Sequence, residues 1–329
     1  MTQALIDGFG RRVSYVRLSV TDRCDFRCRY CMAEEMHFRP SDELLRFDEI
    51  EALADLLIER GVTKLRLTGG EPLVRRGVLD LIERLGTRIG RGLDELTLTT
   101  NGSQLAGAAE RLFASGVRRV NVSLDSLDPA KFAHITRRGR LDQVLRGIAT
   151  AKGAGLKVKI NMVALRGVNE DEIKRMVRWC ADQGFDLTLI ETMPLGDVEE
   201  DRTEHYLPLG ELKRTLDECF TLVPSLARTG GPARYFDVAE LGVRLGLITP
   251  ISDNFCSGCN RIRVTATGRV YGCLGHERNV ELRELLRSGN LAAASAALDA
   301  LLAAKPERHR FEITAAQPAV ERHMSVTGG

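Results

Sequence analysis

The sequence predicts an α/β fold, an incomplete (β/α)6 TIM-like barrel followed by a smaller C-terminal module. Three observations lead there. Short apolar runs alternate with helix-period stretches from Tyr15 to Glu191. Gly61, Gly116 and Gly184 each stand where such a helix should stop. After Pro194 the rhythm changes to short strands broken by Gly and Pro, dividing the chain into residues 1–194 and 195–329.

Taken in order, Tyr15 to Val20 reads as a strand, and a cysteine-rich loop follows it. Phe47 to Arg60 reads as a helix. Ile50, Leu53, Ala54 and Leu57 share a face, and Asp48 and Glu49 complement the positive end of its dipole. The strand Lys64 to Leu67 leads into Gly69-Gly70-Glu71-Pro72. Helix Val78 to Leu85, strand Glu95 to Thr99, helix Gln104 to Ala114 and strand Arg119 to Leu124 continue the alternation. Leu141 to Ala154 is a helix and Lys157 to Ala164 a strand. Asn169 with Glu172 starts a helix that runs to Gly184, and Leu187 to Glu191 is the sixth strand. Six units fall short of the eight that close a barrel, so one side stays open. Functional residues belong on the loops after the strands: the cysteines, the Gly-Gly-Glu-Pro turn, Thr99-Thr100-Asn101, Ser123 and Met193. In the C-terminal part, Leu209 to Cys219 reads as a helix. Tyr235 to Val238, Val243 to Ile248, Ile262 to Ala266 and Val270 to Gly272 read as strands, the last two joined by a hairpin at Thr267-Gly268-Arg269.

The chain has 329 residues, 43% hydrophobic and 28% charged, with a net charge of +2. That is ordinary for a soluble globular protein and supplies no global basic field for nucleic acid. Met1 to Gly10 lacks a signal pattern, and Leu291 to Ala304 is too short and too interrupted to span a bilayer. The expectation is a cytoplasmic protein binding neither nucleic acid nor membrane. Thiols stay reduced there, so clustered cysteines mean metal or catalysis.

Six of the eight cysteines form two groups. Cys24, Cys28 and Cys31 are spaced C-x3-C-x2-C with no fourth ligand beside them. Three thiolates hold three corners of a four-iron cluster and leave one iron open for chemistry. Arg23, Arg27 and Arg29 are expected to favour the thiolate form; three incidental cysteines are the plain alternative. Cys256, Cys259 and Cys273 form the second group, with the hairpin returning the third thiol to the first two. A second iron–sulfur cluster competes here with structural zinc, for which His276 would be the fourth ligand. Cys180 continues the stripe of Ile173, Met176 and Val177 and reads as a core thiol, and Cys219 beside Phe220 is read the same way. Gly69 and Gly70 let backbone approach a ligand, and Glu71 offers an acceptor for an ammonium group, although Gly-Gly before Pro is commonly just a turn. Arg17, Arg66 and Lys159 lie in three separate strands, while Arg261 and Arg263 share one side of another. A bound polyanion would satisfy them; surface exposure or ion pairing is the alternative. No P-loop motif is present.

The triplet with an aromatic before its last cysteine, followed by Gly-Gly-Glu-Pro, resembles the radical S-adenosylmethionine superfamily. Ser19-Val20-Thr21-Asp22-Arg23-Cys24, Leu67 to Leu73, Leu98 to Gly102, Asn121 to Asp125 and Phe255 to Arg261 are similar to the GTP 3′,8-cyclase family within it. The resemblance spans nearly the whole chain and implies two [4Fe-4S] clusters and S-adenosylmethionine as cofactors. Cys24, Cys28 and Cys31 would hold the first cluster, and Cys256, Cys259 and Cys273 the second, which meets the guanine. Tyr30, Gly70, Ser123 and Met193 would contact S-adenosylmethionine. Arg17, Arg66, Thr99, Lys159, Arg261, Ile262 and Arg263 would contact GTP. The implied reaction opens molybdenum cofactor biosynthesis. A 5′-deoxyadenosyl radical takes hydrogen from C3′ of GTP, and C3′ attacks C8 to give (8S)-3′,8-cyclo-7,8-dihydroguanosine 5′-triphosphate. No protein residue is singled out as catalytic. The partners implied are a low-potential electron donor and the next enzyme, cyclic pyranopterin monophosphate synthase, with a homodimer left open. The tail Gly328-Gly329 matches the family's double-glycine end, which is thought to reach the active site. Thr188 stands where the family often has arginine. Two other readings remain: a peptide-modifying radical enzyme with an auxiliary cluster, and a non-enzymatic binding protein stapled by zinc.

Overall fold

The computed structural model describes residues 3–198, 202–313 and 318–328; Gly329 lies outside the described residues. The first part alternates as β1 (Tyr15–Ser19), α1 (Phe47–Glu59), β2 (Lys64–Thr68), α2 (Val78–Gly86), β3 (Glu95–Thr100), α3 (Leu105–Ala114), β4 (Arg119–Ser123), α4 (Pro129–Thr136), α5 (Leu141–Gly153), β5 (Lys157–Val163), α6 (Ile173–Gln183) and β6 (Asp186–Ile190). The second part carries α7 (Arg202–His205), α8 (Leu209–Asp217), β7 (Leu222–Pro224), β8 (Arg234–Val238), β9 (Val243–Ile248), β10 (Arg261–Val264), β11 (Arg269–Tyr271), β12 (Asn279–Glu281), α9 (Arg283–Arg287), α10 (Leu291–Ala303) and α11 (Met324–Thr327).

One twelve-stranded sheet runs β12-β11-β10-β1-β2-β3-β4-β5-β6-β9-β8-β7. The six expected units form its middle. β9 pairs parallel to β6, and β10 pairs parallel to β1. The C-terminal part therefore lengthens the parallel barrel wall at both edges rather than only capping it. The edge pairing is long-range, and the short, Gly-broken strands carried no signal of their partners.

The strands explain the lumen. Val16, Leu18, Leu65, Leu67, Leu96, Leu98, Val120, Val122, Ile160, Met162, Leu187 and Leu189 join the helix residues Ile50, Leu53, Leu57, Leu81 and Leu112 in one buried core. Each such side chain contributes about 2 kcal/mol over leaving it in water. The alternate positions point inward: Arg17, Arg66, Thr99, Asn121, Ser123, Lys159 and Asn161 line a central cavity. Closed parallel barrels normally fill that space with branched apolar side chains. A polar inner face marks a lumen built to hold something.

Two buried carboxylates join the loops. Glu71 accepts from Leu73 N (3.0 Å), Thr100 Oγ1 (2.8 Å) and Asn101 N (2.6 Å), tying the turn after β2 to the end of β3. Its carboxylate is thus consumed within the protein, which corrects the expectation that it would receive a ligand's ammonium group. Burial pushes Glu71 up to about 7 despite these donors. Glu191 accepts from Leu209 N (3.1 Å), Ile251 N (3.0 Å) and Ser252 N (3.1 Å), fastening the segment after β9 to the end of β6.

The Gly-Gly turn packs on the stretch that leads into the cysteines. Gly70 N donates to Thr21 O (2.9 Å) and Glu71 N to Arg23 O (2.8 Å). A Cβ on Gly70 would sit 2.3 Å from Arg23 O and 2.8 Å from Asp22 O, both backbone atoms. Gly70→Ala must push that loop aside. It is expected to destabilise the fold by about 1–3 kcal/mol, read from the denaturation midpoint; an unchanged midpoint would refute the close packing.

Candidate active site

The first cysteine loop is set by its neighbours. α4 starts with Asp128 accepting from Lys131 N (2.9 Å) and with Pro129 in its first turn. The Asp-Pro pair was a legible start signal that the helix pattern did not capture. At the other end of α4, Ile135 O and Thr136 O receive Arg29 N and Arg27 N, each at 3.0 Å. Asp25 is held by Asn101 Nδ2 (2.7 Å) and Ser103 Oγ (2.6 Å), and Phe26 stacks edge-on to Phe132. Tyr30 donates its hydroxyl to Asp125 Oδ2 (2.7 Å), whose other oxygen receives Val163 N (2.8 Å). Burial raises Asp125 to about 6 against those two bonds.

Burial also pushes Cys24 and Cys31 up to about 12 and raises Cys28 strongly. The neighbouring arginines do not offset this, contrary to the sequence expectation. Arg27 Nη1 donates to the backbone oxygens of Cys24 (2.6 Å) and Phe26 (2.8 Å), Arg29 Nε donates to His134 O (2.8 Å), and Arg23 is exposed. Thiolates here need a metal's charge.

Cys256 and Cys259 precede β10, and Cys273 follows β11. Arg263 pairs with Tyr271, so the hairpin returns Cys273 to the start of β10. That start lies beside the start of β1, where Tyr15 pairs with Arg261. The first triplet follows the end of β1. The two triplets thus sit at opposite ends of one strand layer, roughly 15 Å apart along it at 3.3 Å per residue. A site at the N-terminal ends of barrel strands lies outside the usual rule for this architecture. At Cys259, burial alone would raise the thiol, but the charges of Arg261, Lys305 and Arg11 bring it below its ordinary value, whereas burial prevails at Cys273.

Both triplets open into one cavity of about 260 Å³. It is lined by all six thiols and by Tyr30, Gly70, Ser123 and Met193. Arg17, Arg66, Thr99, Lys159, Arg261, Ile262 and Arg263 complete the expected set there. Among the described residues no three His, Cys, Asp or Glu side chains converge on a single-ion position. A lone zinc is therefore a poor fit to either triplet, while a cluster places a separate iron at each thiolate. His276, expected as the fourth ligand of a zinc site, is half-buried, with Nε2 3.1 Å from Arg308 O. Cys180 is buried in the core as expected; Cys219 is exposed, because its helix ends at Asp217 and leaves it outside the packed face.

The cations between the triplets are underpartnered. The Nε groups of Arg17 and Arg66 and the hydroxyls of Tyr15 and Thr99 are buried with no hydrogen-bond partner among the described residues. Burial, then the charges of Arg17 and Arg119, lower Arg66 to about 10. Burial, then Arg66 and Arg119, lower Lys159 to about 7. Lys159 donates to Tyr235 Oη (2.5 Å), which also meets Thr229 Oγ1 (2.9 Å). Arg263 donates to Thr327 O (3.3 Å) and to Gly328 O. The tail therefore reaches the cavity, with Met324 and Ser325 in its lining. Gly328 has φ 74°, and a Cβ there would fall 1.9 Å from Thr68 Oγ1, so only glycine fits. Sequence reading missed Asp125, Asn121, Tyr15 and Tyr235. Tyr15 opens β1 and Tyr235 is the second residue of β8, and only the register shows that Tyr15 lies on the same side of its strand as Arg17 and that Tyr235 lines the cavity.

Residues 18–180 match the model of the radical SAM superfamily, and residues 185–311 that of Molybdenum Cofactor Synthesis C. A GTP 3′,8-cyclase of Erythrobacter litoralis is 58% identical over 99% of this chain and 98% of its own length. One of Rhizobium meliloti is 57% identical over 100% of this chain and 95% of its own length. Among solved structures, Streptococcus suis SuiB bound to S-adenosylmethionine aligns with a TM-score of 0.60 at 16% identity, covering 95% of this chain and 77% of that one; this likeness concerns the fold. The chain belongs to the GTP 3′,8-cyclase family of the radical S-adenosylmethionine superfamily.

Proposed function

We infer that this protein converts GTP to (8S)-3′,8-cyclo-7,8-dihydroguanosine 5′-triphosphate, the step that opens molybdenum cofactor biosynthesis. The observation that carries the reading is one cavity with a thiol triplet at each end and, between them, buried cations of which the Nε groups of Arg17 and Arg66 have no hydrogen-bond partner among the described residues. A [4Fe-4S] cluster at Cys24, Cys28 and Cys31, with S-adenosylmethionine, supplies when bound the radical that takes hydrogen from the ribose. The protein's own residues position and shield. Tyr30, Gly70, Ser123 and Met193 would hold S-adenosylmethionine beside the first triplet. Arg17, Arg66, Lys159, Arg261 and Arg263 would receive the triphosphate as charge-assisted donors, with Thr99 and Ile262 beside them. Cys256, Cys259 and Cys273 would hold a second [4Fe-4S] cluster facing the guanine. On this reading the first triplet, in residues 1–194, generates the radical, and the basic strands of that part share the holding of its target with residues 195–329. The tail and the segment between β9 and β10 keep water from the cavity, which a carbon radical requires.

A low-potential electron donor and an enzyme that consumes the unstable product are the partners this chemistry needs. A reducing cytoplasm is the compartment in which both cysteine triplets would stay available to hold clusters. Among the described residues no helix is long and apolar enough to cross a membrane. The peptide-modifying alternative is supported only by likeness of fold.

The direct test supplies reconstituted protein with GTP, S-adenosylmethionine and a reductant. The cyclised nucleotide is expected; 5′-deoxyadenosine without it would overturn the substrate assignment. Cys256→Ala should still cleave S-adenosylmethionine while losing cyclisation, and equal loss of both would show that the two triplets' roles are wrongly divided.

A pH test follows from Lys159, which titrates near 7 in the unliganded cavity. A bound polyanion raises that value, so binding takes up a proton at higher pH. Affinity for GTP is then full below about pH 7 and falls as pH rises toward 9, by at most about tenfold per unit for one proton. Tyr15, brought to about 8 by Arg66, Arg17 and Lys64 against the opposing effect of burial, pushes the same way as it ionises. Calorimetry should show the decline, and Lys159→Arg should flatten it. A parallel decline in that variant would exclude Lys159 as its source.

A further inference from the structure

The second thiol group is gripped from outside in a way the first is not. Each of its three cysteines has its backbone oxygen pointed at a mostly buried cation from a distant segment. Arg11 Nη1 donates to Cys256 O (2.8 Å), Lys305 Nζ to Cys259 O (3.2 Å) and Arg322 Nη2 to Cys273 O (3.4 Å). The side chains of Arg11, Lys305 and Arg322 are 9%, 1% and 7% exposed. Arg11 also reaches Glu307 O (2.6 Å) and Pro306 O (2.7 Å), and Arg322 reaches Leu274 O and His276 O (2.9 Å). Two carboxylates answer three cations. Asp7, wholly buried, meets Arg11 (2.6 Å) and Lys305 (3.4 Å), and the half-exposed Glu277 meets Arg322 (2.6 Å). A surplus positive charge therefore stays beside the thiols, where little water screens it.

We propose that Arg11, Lys305 and Arg322 form a cationic collar around the second cluster, positioning its three cysteines and favouring its more negatively charged, reduced state. The proposal rests on the reading that Cys256, Cys259 and Cys273 hold a cluster. A three-thiolate cluster is anionic and gains one further negative charge on reduction. A fixed cation nearby stabilises the reduced form more than the oxidised one. The backbone bonds give the collar its second role. With each oxygen held, the loop before β10 and the end of the hairpin keep the spacing that the three thiols would need to hold the cluster. The collar also ties the N-terminal arm, the segment after α10 and the tail to one site, so loading of that site couples to the tail's placement.

The test uses full-length protein with Cys24, Cys28 and Cys31 changed to alanine, so that only the second triplet can load. After anaerobic reconstitution the readouts are iron and sulfide per chain, the rate of iron loss to a chelator, and the midpoint potential followed by electron paramagnetic resonance. Lys305→Met and Arg322→Met are each expected to lower the potential and to speed iron loss by about 10-fold, as loss of a ligand's supporting partner does. Asp7→Asn removes the opposing charge and should shift the potential upward. Opposite shifts separate electrostatics from damage, since a loosened fold would move all three variants the same way. Unchanged potentials, or shifts of one sign, would overturn the collar while leaving the second cluster standing. Failure of the parent protein to bind any iron and sulfide would overturn the cluster assignment itself, and the collar with it.

Discussion

Positive charge buried inside a parallel sheet is the constraint to which the rest of this molecule answers. Arg17, Arg66, Lys159 and Arg263 sit at inward positions of strands whose outward residues form the apolar core. Taking such charges out of water costs several kcal/mol each unless something replaces the lost hydration. The protein replaces it only in part. Tyr235 meets Lys159, and the tail carbonyls meet Arg263. Arg66 and Lys159 respond by holding their protons less tightly than usual. On the proposed reading a triphosphate would supply the missing countercharge, so affinity and the relief of burial cost would share one origin.

That lumen has to be assembled from segments far apart in the chain, and buried carboxylates do the joining. Glu71 fixes the turn after β2 to β3 and, through its backbone, to the loop entering Cys24. Glu191 fixes the end of β6 to the segment leading toward Cys256. Each carboxylate accepts at least three donors, the condition under which a buried acid stabilises rather than disrupts. The first thiol loop thereby inherits the rigidity of the sheet, while the second lies at the start of β10 and the end of β11, near one edge of that sheet, and is held by contacts from distant segments.

How much of this was legible depended on whether the signal was local. The six βα units, the loop positions of Gly70 and Met193, and the return of Cys273 along its hairpin follow from periodicity and turn chemistry; Thr99, Thr100 and Ser123, expected on loops, close the strands β3 and β4 instead. The partners of β9 and β10 did not, since a short edge strand says nothing about which neighbour it will find. Glu71 was misread because a carboxylate after two glycines looks the same whether it faces a ligand or the protein's own amides. The arginines around Cys24 were misread for a related reason. Sequence adjacency placed them near the thiols, but their guanidinium groups were needed to satisfy backbone oxygens. Asp7, Arg11, Lys305 and Arg322 gave no signal at all, because their meaning lies in contacts spanning most of the chain.

The strand order also gives the cavity a direction. β10, β1 and β2 are neighbours, and they carry Arg261, Arg263, Arg17 and Arg66. Lys159 stands across the lumen on β5, and Arg119 on the neighbouring β4 is paired with Glu95 (2.5 Å). On the next strand Thr188 occupies the place where an arginine would extend the cationic ring, and its hydroxyl is buried without a hydrogen-bond partner among the described residues. Opposite it, a Cβ on Gly246 would meet both Thr188 Oγ1 and the Tyr235 ring at 2.9 Å. The space is thus taken by an aromatic ring that in turn holds Lys159. With the cations gathered on one wall, a polyanion has one favourable seat, against β10, β1 and β2. Its remaining length then lies between the second thiol group at the start of β10 and the first beyond the end of β1. Loss of a cation at Thr188 therefore leaves the orientation intact. It is the one-sidedness of the charge, more than its total, that points a bound nucleotide toward both ends of the cavity at once.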